Sequence, residues 1–382
     1  MSTVLALALV AAAILFVLYV LAGYPLLLSW LSRRYRRPVR KLFTPRSVSF
    51  LVAVKNGEAY LDRKLHSILA LDYPRDLMQI IVISDGSTDQ TEQIAREVAG
   101  VTVLPVPPGG KARALNAGLA AARHEILVFT DVRQTLAPGS LRCLLECFAD
   151  PEVGVASGDL VIGNNRTSAQ QDVSLYRRYE TTIRDQLSAL DSMFGATGCY
   201  YAVRRELARP FPPGALLDDM YQPLAVFFQG HRCVMETRAQ AFDEPVALET
   251  EFKRKVRTLA GNYQLIGYFP ALLGPGNRML FHFLSYKFGR LLLPYALIVI
   301  AVASWWLPTG LAPWAVGGQL LFYGLAAIDP LLRPASPLQR ISSPARTFTV
   351  MMAAAFCAGA ILFVPAERLW STPTAVPGSG VR

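Results

Sequence analysis

Three stretches of this chain carry no charged side chain: residues 1–32, 291–328 and 347–366. A helix needs about 20 apolar residues to cross the hydrocarbon core of a bilayer, so the first and third stretches are each long enough to span once. The middle one is interrupted by Trp305, Trp306, Pro308 and Gly310, which suits two short spans joined by a tight turn with interfacial tryptophans. Four spans are expected. The composition agrees: 52% of the 382 residues are hydrophobic and only 17% are charged, against about 25% in soluble domains. A disordered or fibrous chain is excluded.

Residues 1–32 read as an anchor and not as a cleaved signal, because Met1-Ser2-Thr3 has no positive charge and the apolar stretch is too long. The run from Arg33 to Lys41 follows it, Lys287 and Arg290 precede the second span, and Arg333, Arg340 and Arg346 separate the third from the fourth. These basic flanks all fall on one side, so the positive-inside rule predicts a multi-pass protein of the bacterial inner (plasma) membrane with a cytoplasmic domain. The expected organisation is an anchor at 1–32, a cytoplasmic domain at 45–260, interfacial amphipathic helices at 261–290, three spans within 291–366 and a tail at 367–382. Segment 261–290 is apolar and aromatic but broken by Pro270, Gly274, Pro275 and Gly276, as helices lying on a membrane surface are; a buried core helix is the alternative. The net charge of +10 would also suit a nucleic-acid binder, but basic residues at span ends meet anionic lipid at about 1 kcal/mol each. Membrane lipid is the expected partner, with no nucleic acid.

Between 45 and 160, short β-branched runs alternate with helical stretches, which predicts an α/β fold with a mostly parallel sheet and helices on both faces. Strands are expected at Ser47–Val54, Met78–Ile83, Val101–Val106 and Glu125–Thr130, and helices near Glu58–Ala70, Thr88–Ala99 and Ala112–Ala122. Ligands bind at the carboxyl ends of strands in such sheets, and Asp85 and Asp131 stand at two of those ends. Either alone could be a helix cap. Together with Gly109-Gly110-Lys111 between them, they suit a site for a metal-bound phosphate ester.

Other chemistries lack a signature. Lys111 is followed by Ala112 and is not part of a P-loop, and no GxGxxG, HExxH or GxSxG occurs. Cys143 and Cys147 have helical spacing without a second pair, and the five cysteines read as buried thiols and not as zinc ligands or a disulfide framework.

The segments around these strands resemble family 2 glycosyltransferases with the GT-A fold. Ala53-Val54-Lys55-Asn56-Gly57-Glu58 is similar to their PAxNEE segment, Ser84 to Thr91 to their aspartate-glycine-serine element, and Gly110-Lys111-Ala112-Arg113-Ala114-Leu115-Asn116 to GKxxALN. Further along, Phe194 to Cys199 followed by Arg204-Arg205 resembles the acceptor-side segment, Leu217-Asp218-Asp219 the element carrying the general base, and Glu251 to Thr258 the QxxRW element of polysaccharide synthases. The anchor and C-terminal spans also recur in cellulose-, hyaluronan- and poly-N-acetylglucosamine-synthase-like enzymes.

The resemblance implies roles. Asn56, Glu58, Asp85, Lys111, Asn116, Arg254 and Arg257 would bind a nucleotide-sugar donor, with Asp85 on the nucleoside and Lys111 and Arg257 near the phosphates. Asp131 would hold Mg²⁺ or Mn²⁺, Asp219 beside Asp218 would be the base, and Asp159 and Gly198 would meet the acceptor. Two positions depart from the pattern: Asp131-Val132-Arg133 stands for DxD, where Arg133 is an alternative counter-ion for the diphosphate, and Arg254 and Thr258 replace Gln and Trp of QxxRW. The expected function is an inverting hexosyl- or N-acetylhexosaminyl-transfer, a UDP-sugar being the first choice, to a lipid-linked or growing polysaccharide acceptor, with other polysaccharide-assembly proteins as partners. The alternatives are a processive exopolysaccharide synthase with coupled translocation and a non-catalytic sugar-nucleotide-binding protein.

Overall fold

The structure, a computed structural model, describes residues 1–162, 168–244, 251–332 and 336–364; the expected tail at 367–382 lies outside the described residues. The first apolar stretch forms one helix, α1 (Thr3–Arg34), with a π-helical turn at Tyr19–Gly23. It is apolar on every side, and Leu15 and Leu18 stay more than half exposed, as on a helix that meets lipid.

The sheet begins with β1 (Val48–Val54), α2 (Glu58–Leu69), β2 (Met78–Asp85), α3 (Thr91–Glu97), β3 (Val101–Val106), α4 (Lys111–Ala121) and β4 (Ile126–Phe129). The four strands pair in parallel in the order β3-β2-β1-β4. The runs of β1, β2 and β4 are buried on both sides, as strands covered by helices on both faces require, while β3 lies at the partly exposed edge. Phe50, Val52, Ile80 and Val82 face the core beneath α2 with Leu61 and Leu65. Leu51, Ile81, Ile83 and Leu127 face the opposite core beneath α4 with Ala114 and Leu115. Each such side chain contributes roughly 1.5–3 kcal/mol on full burial. The helix expected from residue 88 starts later, at Thr91, whose N–H is accepted by Asp89 (3.1 Å) in the turn before it.

The second half carries β5 (Thr135–Leu136), α5 (Ser140–Glu146), β6 (Val153–Ile162), α6 (Ser168–Leu190), β7 (Tyr201–Arg204), α7 (Asp218–Phe227) and β8 (Arg232–Asp243). β7 runs antiparallel to β4 and β6, β8 parallel to β6, and β5 antiparallel to β8. The result is one eight-stranded sheet, parallel in its first half and mixed in its second.

The chain then forms α8 (Glu251–Tyr268), α9 (Leu280–Trp306), α10 (Ala312–Ile328) and α11 (Pro337–Leu362). Among the described residues α1, α9 and α11 are long and apolar enough to cross a membrane. At 17 residues α10, the third span of the sequence reading, falls short of the roughly 20 a crossing takes. The segment expected at 261–290 as interfacial helices divides: residues from Leu280 onward are continuous with the apolar helix, because no proline or glycine interrupts 280–288 and the charge of Arg290 meets Glu180 of α6. Tyr24 and Leu28 of α1 and Phe283 and Tyr286 of α9 join the cluster containing Leu127 and Phe129, so the sheet is seated directly on these helices. Part of the basic run after α1 faces the domain and not lipid: Arg37 lies 2.5 Å from Asp191 and Lys41 lies 2.7 Å from Glu236; Asp191 is met from the other side by Arg278, just before α9, at 2.9 Å.

Candidate active site

The order β3-β2-β1-β4 reverses between β1 and β4, and a crevice opens at the carboxyl ends there. Asn56, just past β1, is the one non-glycine residue with a left-handed backbone among the described residues (φ 51°), a conformation asparagine tolerates better than most. Its Oδ1 accepts the Thr88 N–H (2.8 Å), and Glu58 Oε2 accepts the Gln90 N–H (3.0 Å). Both residues therefore hold the turn after β2. Asp85, at the end of β2, accepts the N–H groups of Gly109 (2.7 Å) and Gly110 (3.0 Å). Gly110 has φ 84°, a region open to glycine at little cost; this turn starts α4 with Lys111 at its tip. Asn116, expected at the donor, spends its amide within the protein. Its amide is engaged on both sides by the Phe211 backbone (2.9 and 2.7 Å) and fastens residue 211 to α4.

Lys111 is the centre of the constellation. Its ammonium lies 2.8 Å from Asp131 Oδ1 and 3.0 Å from Asp218 Oδ2. Burial acts against the charge, but the two carboxylates outweigh it and hold the lysine protonated well above its ordinary range. Arg133, at the second acidic position of DxD, pairs with Asp243, which also accepts from Gln134 (2.8 Å).

Behind Asp131 stands a residue that the motifs did not single out. Lys64 is fully buried and donates to Thr130 Oγ1 (2.5 Å) and to the Gln134 carbonyl (2.9 Å), while Thr130 donates to the Cys199 carbonyl (2.7 Å). It thereby ties both ends of the Asp131 loop to the acceptor-side segment. Burial pulls its ammonium down to about 7. A signal was available: Lys64 shares the helical face of Leu61, Leu65 and Ile68, all buried.

Asp218 and Asp219 begin α7. A Cβ on Gly198 would stand 3.0 Å from Asp219 Oδ2, so the glycine leaves the space that this carboxylate occupies. Burial first, and the neighbouring Asp218 second, push the Asp219 carboxyl up to about 6, against the opposing pull of Lys111 and Arg184. A cavity of about 740 Å³ opens on this group and is lined by Asp131, Asp159, Gly198, Asp219 and Arg254. Asp159 accepts from Thr181 Oγ1 (3.1 Å). Thr258 also lines the cavity, whereas Arg257 is exposed on α8 outside it. Asn56, Glu58, Asp85 and Asn116 do not line it either; of these, Asp85 connects to the centre through Gly110 and Lys111.

Among the described residues no three histidine, cysteine or carboxylate side chains gather as a metal-binding group. Asp131 and Asp218 nevertheless converge on one cation, the Lys111 ammonium. Hard oxygen donors suit Mg²⁺ or Mn²⁺, and Mg²⁺ commonly takes one or two protein carboxylates beside substrate phosphates. The residues present fit such an ion.

Comparison with known proteins agrees with this geometry. Residues 49–210 match the family described as Glycosyl transferase family 2. An uncharacterized glycosyltransferase of Nostoc sp. is 28% identical over 178 residues, covering 43% of this chain and 53% of that protein. A beta-monoglucosyldiacylglycerol synthase of Synechocystis sp. is 30% identical over 124 residues, 31% of this chain and 26% of that protein. The chain thus spans about half of the first relative and about a quarter of the second. Among solved structures, a mannosyltransferase from Pyrobaculum calidifontis in complex with GDP-Man and Mn²⁺ is similar over 93% of this chain and 99% of that one, with a TM-score of 0.71 and 25% identity. With the order of its strands and the carboxylates at their ends, the chain carries over residues 49–210 a domain that matches family 2 glycosyltransferases and has the GT-A fold, with helices of membrane-spanning length on either side of it.

Proposed function

We propose that this protein is an inverting glycosyltransferase that moves a sugar from a nucleoside-diphosphate sugar, a UDP-sugar by first choice, to an acceptor delivered from the membrane. The observation that carries this reading is Lys111 held between Asp131 and Asp218, with Asp219 at the rim of a cavity that also reaches α9 and α11. Similarity to a beta-monoglucosyldiacylglycerol synthase and to a mannosyltransferase solved with GDP-Man and Mn²⁺ supports it. The basic flank after α1 supports a cytoplasmic catalytic domain at a bacterial inner membrane.

Lys111 stabilises the negative charge that develops on the departing diphosphate, where electrostatic help is worth most. Asp85 orients the nucleoside, and it also fixes the loop that presents Lys111. Arg254 approaches the donor from α8. Mg²⁺ or Mn²⁺ held by Asp131, with Asp218 beside it, would supply further positive charge to the diphosphate. On the other side of the sugar, Asp219 takes the proton of the attacking hydroxyl, with Asp159 and the open surface at Gly198 positioning the acceptor. The acceptor oxygen bonds to the anomeric carbon as the bond to the diphosphate breaks, and the leaving group keeps the electron pair. One such displacement inverts the configuration, so an α-linked donor gives a β-glycoside.

Purified protein in lipid vesicles, given a panel of labelled UDP- and GDP-sugars, should release nucleoside diphosphate from one of them and form a β-linked product. Donor binding with no release from any sugar nucleotide would favour a binding protein, and a product lengthened by many sugars would favour a processive synthase.

A further inference from the structure

Two side-chain oxygens that are buried without a hydrogen-bond partner among the described residues, Gln134 Oε1 and Asn262 Oδ1, belong to residues lining the cavity at Asp219. Asn262 is half-buried, whereas Gln134 is only 6% exposed. A buried acceptor left unpaired gives up its hydration and receives nothing in return. In the wall of a substrate cavity, such an acceptor calls for a partner that arrives with the substrate.

The Gln134 amide is held in one orientation. Its Nε2 donates to Asp243 Oδ2 (2.8 Å), and Asp243 also takes the Arg133 guanidinium. A carboxylate paired with an arginine only accepts, so a flipped amide would set oxygen against oxygen. The backbone is braced as well. Lys64 donates to the Gln134 carbonyl (2.9 Å) and to Thr130 Oγ1 (2.5 Å), which bracket Asp131. Asp131 and Gln134 thus stand three residues apart in one fixed loop, and both line the cavity. In the transferase reading Asp131 lies at the diphosphate, to which the sugar is directly joined. Arg133 turns to Asp243, so Gln134 is the side chain of this loop with an acceptor to offer the sugar.

We propose that Gln134 is a specificity-determining residue whose Oε1 accepts a hydrogen bond from a hydroxyl or amide N–H of the transferred sugar. The proposal rests on the transferase reading and adds the side chain that selects the donor sugar. An acceptor of fixed orientation favours a substituent that brings a proton, because an analogue without one leaves Oε1 buried and unpaired. A sugar deoxygenated at that carbon is therefore rejected.

The test measures binding, without turnover, by calorimetry on the full chain in detergent micelles with Mn²⁺. The probes are UDP, GDP, UDP-glucose, UDP-N-acetylglucosamine and GDP-mannose, with the monodeoxy and monodeoxyfluoro analogues of each sugar. For the sugar nucleotide that binds best, one monodeoxy analogue should bind at least about tenfold more weakly than the parent. The fluoro analogue at the same carbon should be equally weak, since fluorine cannot donate. In Gln134→Met, parent and analogues should agree within about twofold, while the affinity for UDP or GDP stays unchanged and shows that the fold is intact. Discrimination retained in Gln134→Met would overturn the proposal, as would a native protein that accepts every deoxy analogue, or a fluoro analogue that binds as well as its parent. Failure of the transferase reading is distinct and removes both: neither the nucleoside diphosphates nor the sugar nucleotides would then bind to the native protein.

Discussion

Gly198 and Asp219 touch so closely that a single added methyl group, 3.0 Å from Oδ2 of the carboxylate, would compete for its position. Gly198→Ala should therefore move the base without removing it. Contacts at 3.0 Å force a shift of a few tenths of an ångström, and small misplacements of a reacting group cost one to two powers of ten in rate. The expected outcome is a fall in kcat of about tenfold or more with nucleotide affinity retained, checked by steady-state kinetics beside calorimetry. An unchanged kcat would separate Asp219 from the chemistry.

The Asp219 carboxyl is raised to about 6, and it works as a base only when ionised. Transfer should rise with pH through about 6 and level off above it. Removing the like charge in Asp218→Asn lowers that carboxyl, so the acid limb of kcat/KM should move to lower pH. Removing the cation in Lys111→Met has the opposite sign and should move it to higher pH. Asp219→Asn should lose transfer by about 10²–10⁴-fold while donor binding persists.

Chelation tests the cation seat. EDTA should suppress transfer, and Mn²⁺ or Mg²⁺ should restore it in the native protein. In Asp131→Asn restoration should fail, because the carboxylate that would hold the ion is gone. Full activity in EDTA would show that Lys111 and the neighbouring arginines suffice for the diphosphate.

Lys64 should leave a mark on stability. Its ammonium falls from an ordinary 10.5 to about 7 in the fold, so between those values the unfolded chain holds a proton that the folded chain has released. Stability then rises with pH across that window, by at most about 1.4 kcal/mol per unit. The thermal midpoint of Lys64→Met should lack this rise. Activity should also fall in that variant, since the Asp131 loop loses its tether to Thr130 and Gln134.

Asp85→Ala should loosen the Gly109-Gly110 turn as well as the nucleoside site, since the same carboxylate holds both backbone N–H groups. Donor affinity by calorimetry should fall roughly tenfold, or about 1.4 kcal/mol, within the range for losing charge-assisted hydrogen bonds. Unchanged affinity would remove Asp85 from the donor site.

The sequence determined the local terms. Uncharged runs fixed where the chain can enter a bilayer, and β-branched runs between helical stretches fixed the parallel half of the sheet, because both depend only on which residues are neighbours along the chain. It also placed Asp85, Lys111 and Asp131 around the ends of the strands and singled out Asp219. The tertiary structure decided what those side chains face. Asn116 carries a motif position but is engaged by Phe211, 95 residues away; Arg133 turns to Asp243; and Lys64, outside every motif, sits fully buried behind the Asp131 loop. The antiparallel β7 and the start of α9 at Leu280 were likewise settled by packing, in one case by pairing with β4 and in the other by the partner that Glu180 offers Arg290. Hydrogen bonds and ion pairs between distant segments depend on distances that no local pattern records, which is why the motifs were legible and the partners were not.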